Sequence, residues 1–171
     1  MFTCFSQRQR GNFAQEPYPN RCLTFAFACG IVAVEIWMPN LVAYVDGGSH
    51  GSPGPSGIGV VIEHLGGEKV LIAKSIGRQD NNVAEYLALL EALQHAVAIN
   101  ASTLLVYSDS EIVVKQMTGQ YACRSPRLYS LNWTCRKLAR SLDFSITHIS
   151  REQNFEANEL ANAAARGRKT A

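Results

Sequence analysis

Residues 44–62 read YVDGGSHGSPGPSGIGVVI. An apolar run over residues 41–45 ends at Asp46, and Gly47, Gly48, Gly51, Gly54 and Gly57 follow with two prolines among them. A second apolar run opens at Ile58. Short β-rich runs bounded by glycine and proline are strand signals, so the stretch predicts two strands joined by a loop over residues 47–57. Residues 58–63 and 69–76, with Gly66-Gly67 between them, read as a hairpin. The first three strands are thus predicted to form a meander.

Downstream the apolar period changes. Val83, Tyr86, Leu87, Leu90, Leu93 and Val97 recur at spacings of three and four, which predicts a helix over residues 82–99. Asn81 or Asn82 reads as its N-cap, and Glu85 stands three residues after Asn82, a capping-box spacing. Residues 103–107 form a buried-type strand ending at Ser108-Asp109. A helix over 111–117 is closed by Gly119, and Ser125-Pro126 opens another that runs to about residue 142. Residues 144–149 make a fifth strand and 154–165 an alanine-rich helix. The order β-β-β-α-β-α-α-β-α specifies an α/β sandwich built on a mixed sheet.

Composition bounds the function classes. The chain has 171 residues, 47% hydrophobic and 18% charged, with a formal charge of +2. That describes one globular domain and excludes a disordered tail, a collagen-like chain or a nucleic-acid-coating protein of high positive charge. A local basic patch remains compatible with nucleic-acid binding. Cys4, Cys22, Cys29, Cys123 and Cys135 are an odd set with no C-x-x-C pair, read as reduced thiols of a cytoplasmic protein.

Residues 1–37 differ from the rest. They carry three of the five cysteines and five charged residues, with no helix or strand period before the apolar run LTFAFACGIVAV at 23–34. Twelve residues are too few to span a bilayer, which takes roughly 20. The run resembles the apolar part of a signal peptide, but the arginines lie far upstream and no A-x-A site follows. The expectation is that Met38 is the natural start, residues 1–37 being a poorly ordered extension from an over-extended reading frame, and that residues 38–171 form the domain.

Asp46 and Asp109 each end a strand, and Glu85 lies at the start of the helix between those strands. Taken singly, each acid has an ordinary reading: a turn-forming Asp, or a Glu complementing a helix dipole. Together, at the carboxyl edge of an α/β sheet where such folds place their sites, they point to a shared hard cation. Converging carboxylates repel one another, and Mg²⁺ or Mn²⁺ relieves that repulsion.

Four blocks, YVDGGSHGSPGPSGIGVVI, NNVAEYLALLEAL, VYSDSEIVVKQMTG and HISREQNFEANELANAA, in this order and spacing, resemble type 1 ribonuclease H. The similarity is greatest to the archaeal, bacterial and plant-like branch without the basic handle, and covers residues 41 to about 165. It implies a ribonuclease H-like α/β fold: a five-stranded mixed sheet, order 3-2-1-4-5, flanked by helices. It also implies endonucleolytic hydrolysis of the RNA strand of RNA/DNA hybrids with two Mg²⁺ or Mn²⁺ ions, by a monomer without a membrane segment.

Asp46, Glu85 and Asp109 fall on the family's catalytic, metal-binding acids. The fourth acidic position falls on Asn158, a departure that keeps an oxygen donor, removes a charge and lowers the expected metal affinity. Glu159, about 100° round the helix, is no substitute. His148 falls on a histidine that assists metal and product release; alone it would read as a structural histidine. Asn81 and Asn82 match a pair facing the hybrid's minor groove, where 2′-hydroxyls are exposed, and Gly47 and Gly48 match backbone close to the RNA. Ser110 and Glu111 fall at the substrate edge, where some members carry a glutamine in place of the acid at 111.

Arg124, Arg127, Arg136, Lys137 and Arg140 suit either phosphate binding or a solvated helix face, and Trp133 at helical spacing reads as core. Two rival readings remain: a catalytically weakened hybrid- or double-stranded-RNA-binding module, and a different metal-dependent nuclease or phosphatase of the same superfamily.

Overall fold

A computed structural model describes residues 40–167, so the expectations for residues 1–37 lie outside the described residues. The elements are β1 (Leu41–Ser49), β2 (Gly54–His64), β3 (Lys69–Gln79), α1 (Asn81–Ala98), β4 (Thr103–Ser108), α2 (Glu111–Met117), α3 (Pro126–Ala139), β5 (Asp143–His148) and α4 (Phe155–Ala165). One sheet is ordered β3-β2-β1-β4-β5. The meander β1–β2–β3 is antiparallel, while β4 and β5 add in parallel on the other side of β1. Element order and strand order both agree with the sequence expectation.

The glycine-rich stretch differs from it. Residues 47–49 continue β1 and residues 54–57 begin β2, leaving only a tight connection at 50–53. These glycines serve close approach. A Cβ at Gly47 would stand 2.1 Å from the Ala84 backbone of α1. At Gly59 it would stand 2.0 Å from the Ala157 carbonyl oxygen, and at Gly57 2.4 Å from the Ala165 nitrogen, both in α4. Glycine thus marks the places where a helix backbone lies directly on a strand.

Alternation along the strands assigns the two faces. Leu41, Ala43 and Val45 of β1, Ile58, Val60 and Ile62 of β2, and Leu104 and Val106 of β4 join α1, α2 and α3 in the main core. On the opposite face Ala157, Ala161, Ala164 and Ala165 of α4 are buried, against strands whose glycines admit them. The buried stripe of α1 is likewise centred on Ala84, Ala88, Ala92 and Ala96, with Tyr86, Leu89 and Leu93. Val83, Leu87 and Leu90, which carry the helical period in the sequence, are only partly buried and flank that stripe. Small residues face the sheet because the helix lies close to it.

The N-cap of α1 is Asp80, not Asn81 or Asn82, so Glu85 begins the second turn and does not close a capping box. Tyr86, fully buried, donates its hydroxyl proton to Gln116 Oε1 at 2.6 Å and accepts from Asn132 Nδ2 at 2.9 Å. This polar triad joins α1, α2 and α3 inside an apolar core, and burial pushes the Tyr86 phenol up to about 12. No helix among the described residues is long and apolar enough to cross a membrane.

Gly59→Ala forces α4 off β2 and is expected to destabilise the protein by about 1–3 kcal/mol, the usual cost of overpacking, as a lowered urea midpoint. Gly66→Ala, where nothing lies within 4 Å of the added methyl, serves as its control.

Candidate active site

β1 and β4 run parallel with Val45 opposite Ser108, so Asp46, which lies inside β1 and does not end it as the sequence suggested, stands beside Asp109, the residue just past β4. Glu85 arrives from α1, whose N-terminal part rests on Gly47. One carboxylate oxygen from each of Asp46, Glu85 and Asp109 lies within 4.8 Å of the others. Three elements distant in sequence therefore deliver three acids to one point.

Asp46 is 5% exposed and Glu85 8%. Burial, then the charge of Asp109, raises the Asp46 carboxyl from its ordinary value to about 6. Burial, then the charges of Asp46 and Asp109, pushes Glu85 well above the carboxylate range. No lysine or arginine among the described residues makes an ion pair with any of the three. Glu85 Oε2 is buried without a hydrogen-bond partner. Hard oxygen donors, uncompensated charge and an orphaned carboxylate oxygen fit a divalent cation.

Asn158, at the fourth position, reaches this cluster. Its Nδ2 donates to Asp46 Oδ2 at 3.1 Å, and its Oδ1 accepts from Asn162 Nδ2 at 2.8 Å. The oxygen that the sequence suggested as a fourth donor is thus engaged within α4, and it is the amide nitrogen that faces the carboxylates. Glu159 is exposed.

His148 closes β5 opposite Ser108 and is exposed. It is one step along the edge from Asp109 and outside the carboxylate cluster. Asn81 accepts from the Ser49 amide at 3.2 Å and donates to Glu85 Oε1 at 3.4 Å, tying the β1 terminus to the buried acid. Asn82 is exposed beside it. Gly47 and Gly48 lie in β1 directly after Asp46. Ser110 is the N-cap of α2, and Glu111 pairs with Lys115 one turn on.

Arg124, Arg127, Arg136, Lys137 and Arg140 are exposed, with Arg127 paired to Asp80 at 2.7 Å. Trp133, read from its spacing as core, is 56% exposed with Lys137 Nζ 5.3 Å from its ring centre. The side of α3 that packs inward is occupied by Leu128, Asn132 and Cys135.

Three neighbours of the site were not apparent from the sequence. Asn154 is buried and donates from Nδ2 to the Val45 carbonyl at 2.9 Å and to Asp109 Oδ1 at 2.8 Å, fastening Asp109 to β1. Arg151, exposed, lowers the Asp46 carboxyl through its charge, partly offsetting the burial. Asn162 holds Asn158. The run of asparagines at 154, 158 and 162, spaced one turn apart, was the available signal.

A carboxylate cluster able to hold a metal ion, at the carboxyl edge of a β3-β2-β1-β4-β5 sheet, defines a ribonuclease H-like domain. Residues 44–164 match the reverse transcriptase-like family, and the chain belongs to the type 1 ribonuclease H family within it. It is 39% identical over 126 residues to ribonuclease HI of Halobacterium salinarum, a match covering 71% of this chain and 62% of that protein. The chain therefore spans less than two thirds of that relative's length. The crystal structure of RNase H1 from the same archaeon superposes with a TM-score of 0.70 at 38% identity, over 74% of this chain and 98% of that one. LC11-RNase H1, crystallised in complex with an RNA/DNA hybrid, gives 0.69 at 35% identity, over 74% and 97%.

A carboxyl raised in the folded state keeps its proton there to higher pH than in the unfolded chain, so its contribution is present below the unfolded value and lost as pH rises through the folded one. For Asp46 that window runs from the ordinary 3.8 to about 6. Asp46→Asn removes this loss. In metal-free buffer the variant's melting temperature, relative to the parent, is expected to rise between pH 4 and pH 7; a constant difference would contradict the assigned burial and repulsion.

Proposed function

We propose that this chain hydrolyses the RNA strand of RNA/DNA hybrids endonucleolytically, as a monomer in the cytoplasm, using two Mg²⁺ or Mn²⁺ ions. The observation that carries the reading is the convergence of the Asp46, Glu85 and Asp109 oxygens within 4.8 Å on the sheet edge of a ribonuclease H fold. Membership of the family and the hybrid bound by the LC11 relative support the substrate. The free thiols of Cys123 and Cys135 suit a reducing compartment.

Asp46, Glu85 and Asp109 would hold the ions. When bound, such a pair of cations supplies an activated water and stabilises the departing 3′ oxygen. The chain's own residues do the rest. Asn154 orients Asp109 through its amide, and Asn81 orients Glu85. His148, exposed at the end of β5, would take up or deliver a proton at the solvent side of the edge. The main chain at Gly47 and Gly48, with Asn81 and Asn82, presents short polar groups to a shallow minor groove, the feature that distinguishes a hybrid from B-form DNA. Ser110 and Glu111 border the same edge.

Incubation with labelled RNA/DNA hybrid, RNA duplex and DNA duplex in Mg²⁺ or Mn²⁺ tests the reading. Cleavage is expected for the hybrid alone, and Asp46→Asn is expected to abolish it while retaining the fold. Hybrid binding without cleavage in both metals would instead support a binding module, and cleavage of the other duplexes a different nuclease. Restoring the fourth carboxylate with Asn158→Asp is expected to lower the Mg²⁺ concentration needed for half-maximal cleavage; an unchanged metal dependence would refute the role assigned to this position.

A further inference from the structure

We infer that Asn162 is a positioning residue that, with Asp46 at the other end, holds the Asn158 amide in one orientation toward the carboxylates. It thereby makes position 158 a hydrogen-bond donor to Asp46 and withholds its oxygen from a cation.

The two contacts form a directed chain. An ionised carboxylate only accepts hydrogen bonds, so Asp46 is complementary to the Asn158 NH₂ and not to its carbonyl. Once Nδ2 is committed to Asp46, Oδ1 points back along α4 and takes the Asn162 Nδ2 hydrogen at 2.8 Å. The two asparagines stand four residues apart, on one face of α4. Both are half-buried, each one position beyond an alanine, Ala157 or Ala161, that packs against the glycine positions of the sheet. Asn162 Oδ1 lies 3.9 Å from where a Cβ of Gly48 would stand, so the chain runs just behind the β1 terminus. An Asn158 turned the other way would place its carbonyl against Asp46, losing that hydrogen bond, and would keep the other only if Asn162 turned with it. An aspartate at 158 has no such ends to choose between, and the arrangement therefore belongs to the asparagine.

This rests on the divalent-cation reading of the site, but its consequences appear in metal binding and in the spectrum of the metal-free protein, without any cleavage assay. Mn²⁺ binding is measured calorimetrically on the full chain for the parent, Asn162→Leu, Asn158→Asp and the double variant, with melting temperatures as the check on folding. Asn162→Leu frees the Asn158 oxygen and is expected to tighten Mn²⁺ about two- to tenfold, the ratio set by one side-chain hydrogen bond. In the Asn158→Asp background the same change is expected to leave the affinity within about twofold, a non-additive cycle.

In metal-free protein the Asn158 side-chain amide resonances, assigned by their loss in Asn158→Asp, are expected to shift in Asn162→Leu. An equal effect of Asn162→Leu in both backgrounds, or none in the parent with unmoved Asn158 resonances, overturns the inference. Asp46→Ala separates the two levels: abolition of Mn²⁺ binding supports the cation site that the inference presupposes. Should Mn²⁺ bind none of the proteins, the cation reading fails and the withheld oxygen with it, while the amide resonances still report whether Asn162 orients Asn158.

Discussion

Backbone has to touch backbone at three points before this site can exist. At Gly47 an added Cβ would lie 2.1 Å from the main chain of α1, and at Gly57 and Gly59 it would lie within 2.4 Å of the main chain of α4. The alanine stripes of both helices meet those strands, so the helices sit lower on the sheet than larger side chains would allow. α1 consequently reaches β1 close enough for Glu85 to join Asp46. α4, on the other face, reaches it close enough for Asn158 to do so. Because β1 lies centrally, between β2 and β4, a single strand receives groups from both faces and, through β4, from Asp109.

That convergence has an electrostatic cost, since each buried carboxylate raises the energy of ionising the next. The chain manages the cost locally. Amides stand where charge would aggravate it: Asn81 donates to Glu85, Asn154 to Asp109 and Asn158 to Asp46. Arg151 acts at longer range from the solvent side. Three acids with three amide donors hold less negative charge than four acids would, and a cation drawn to such a site is correspondingly less tightly bound. The near-neutral balance of the chain, 13 basic and 12 acidic residues from Met38 onward, is in keeping with a confined acidic centre set in an otherwise mixed surface.

Most of the architecture was legible because the apolar period changes cleanly between 2 and 3.6. The three acids were legible as residues that follow strand runs or open a helix. What the sequence hid depended on distance between remote segments. Gly47 and Gly57 look like loop residues and Gly59 stands inside a strand run, and only the proximity of α1 and α4 shows all three to be packing positions. Trp133 fits a helical period, yet that period does not say which side faces the core when Leu128, Asn132 and Cys135 already fill it. Asn158 could be placed at the fourth acidic position by pattern, but the direction of its amide depends on contacts with Asp46 and Asn162 that only the fold supplies. Asn154 was visible only as part of a motif, and its double hydrogen bond to β1 and Asp109 needed the fold.

The central claim is that Asp46, Glu85 and Asp109 together form a divalent-cation centre while Asn158 stays turned toward Asp46. Anomalous diffraction from crystals grown with Mn²⁺ tests it most directly. The account predicts manganese density about 2 Å from oxygens of these carboxylates, with the Asn158 oxygen still accepting from Asn162. Manganese bound elsewhere, or none at the three carboxylates at millimolar concentration, would contradict it.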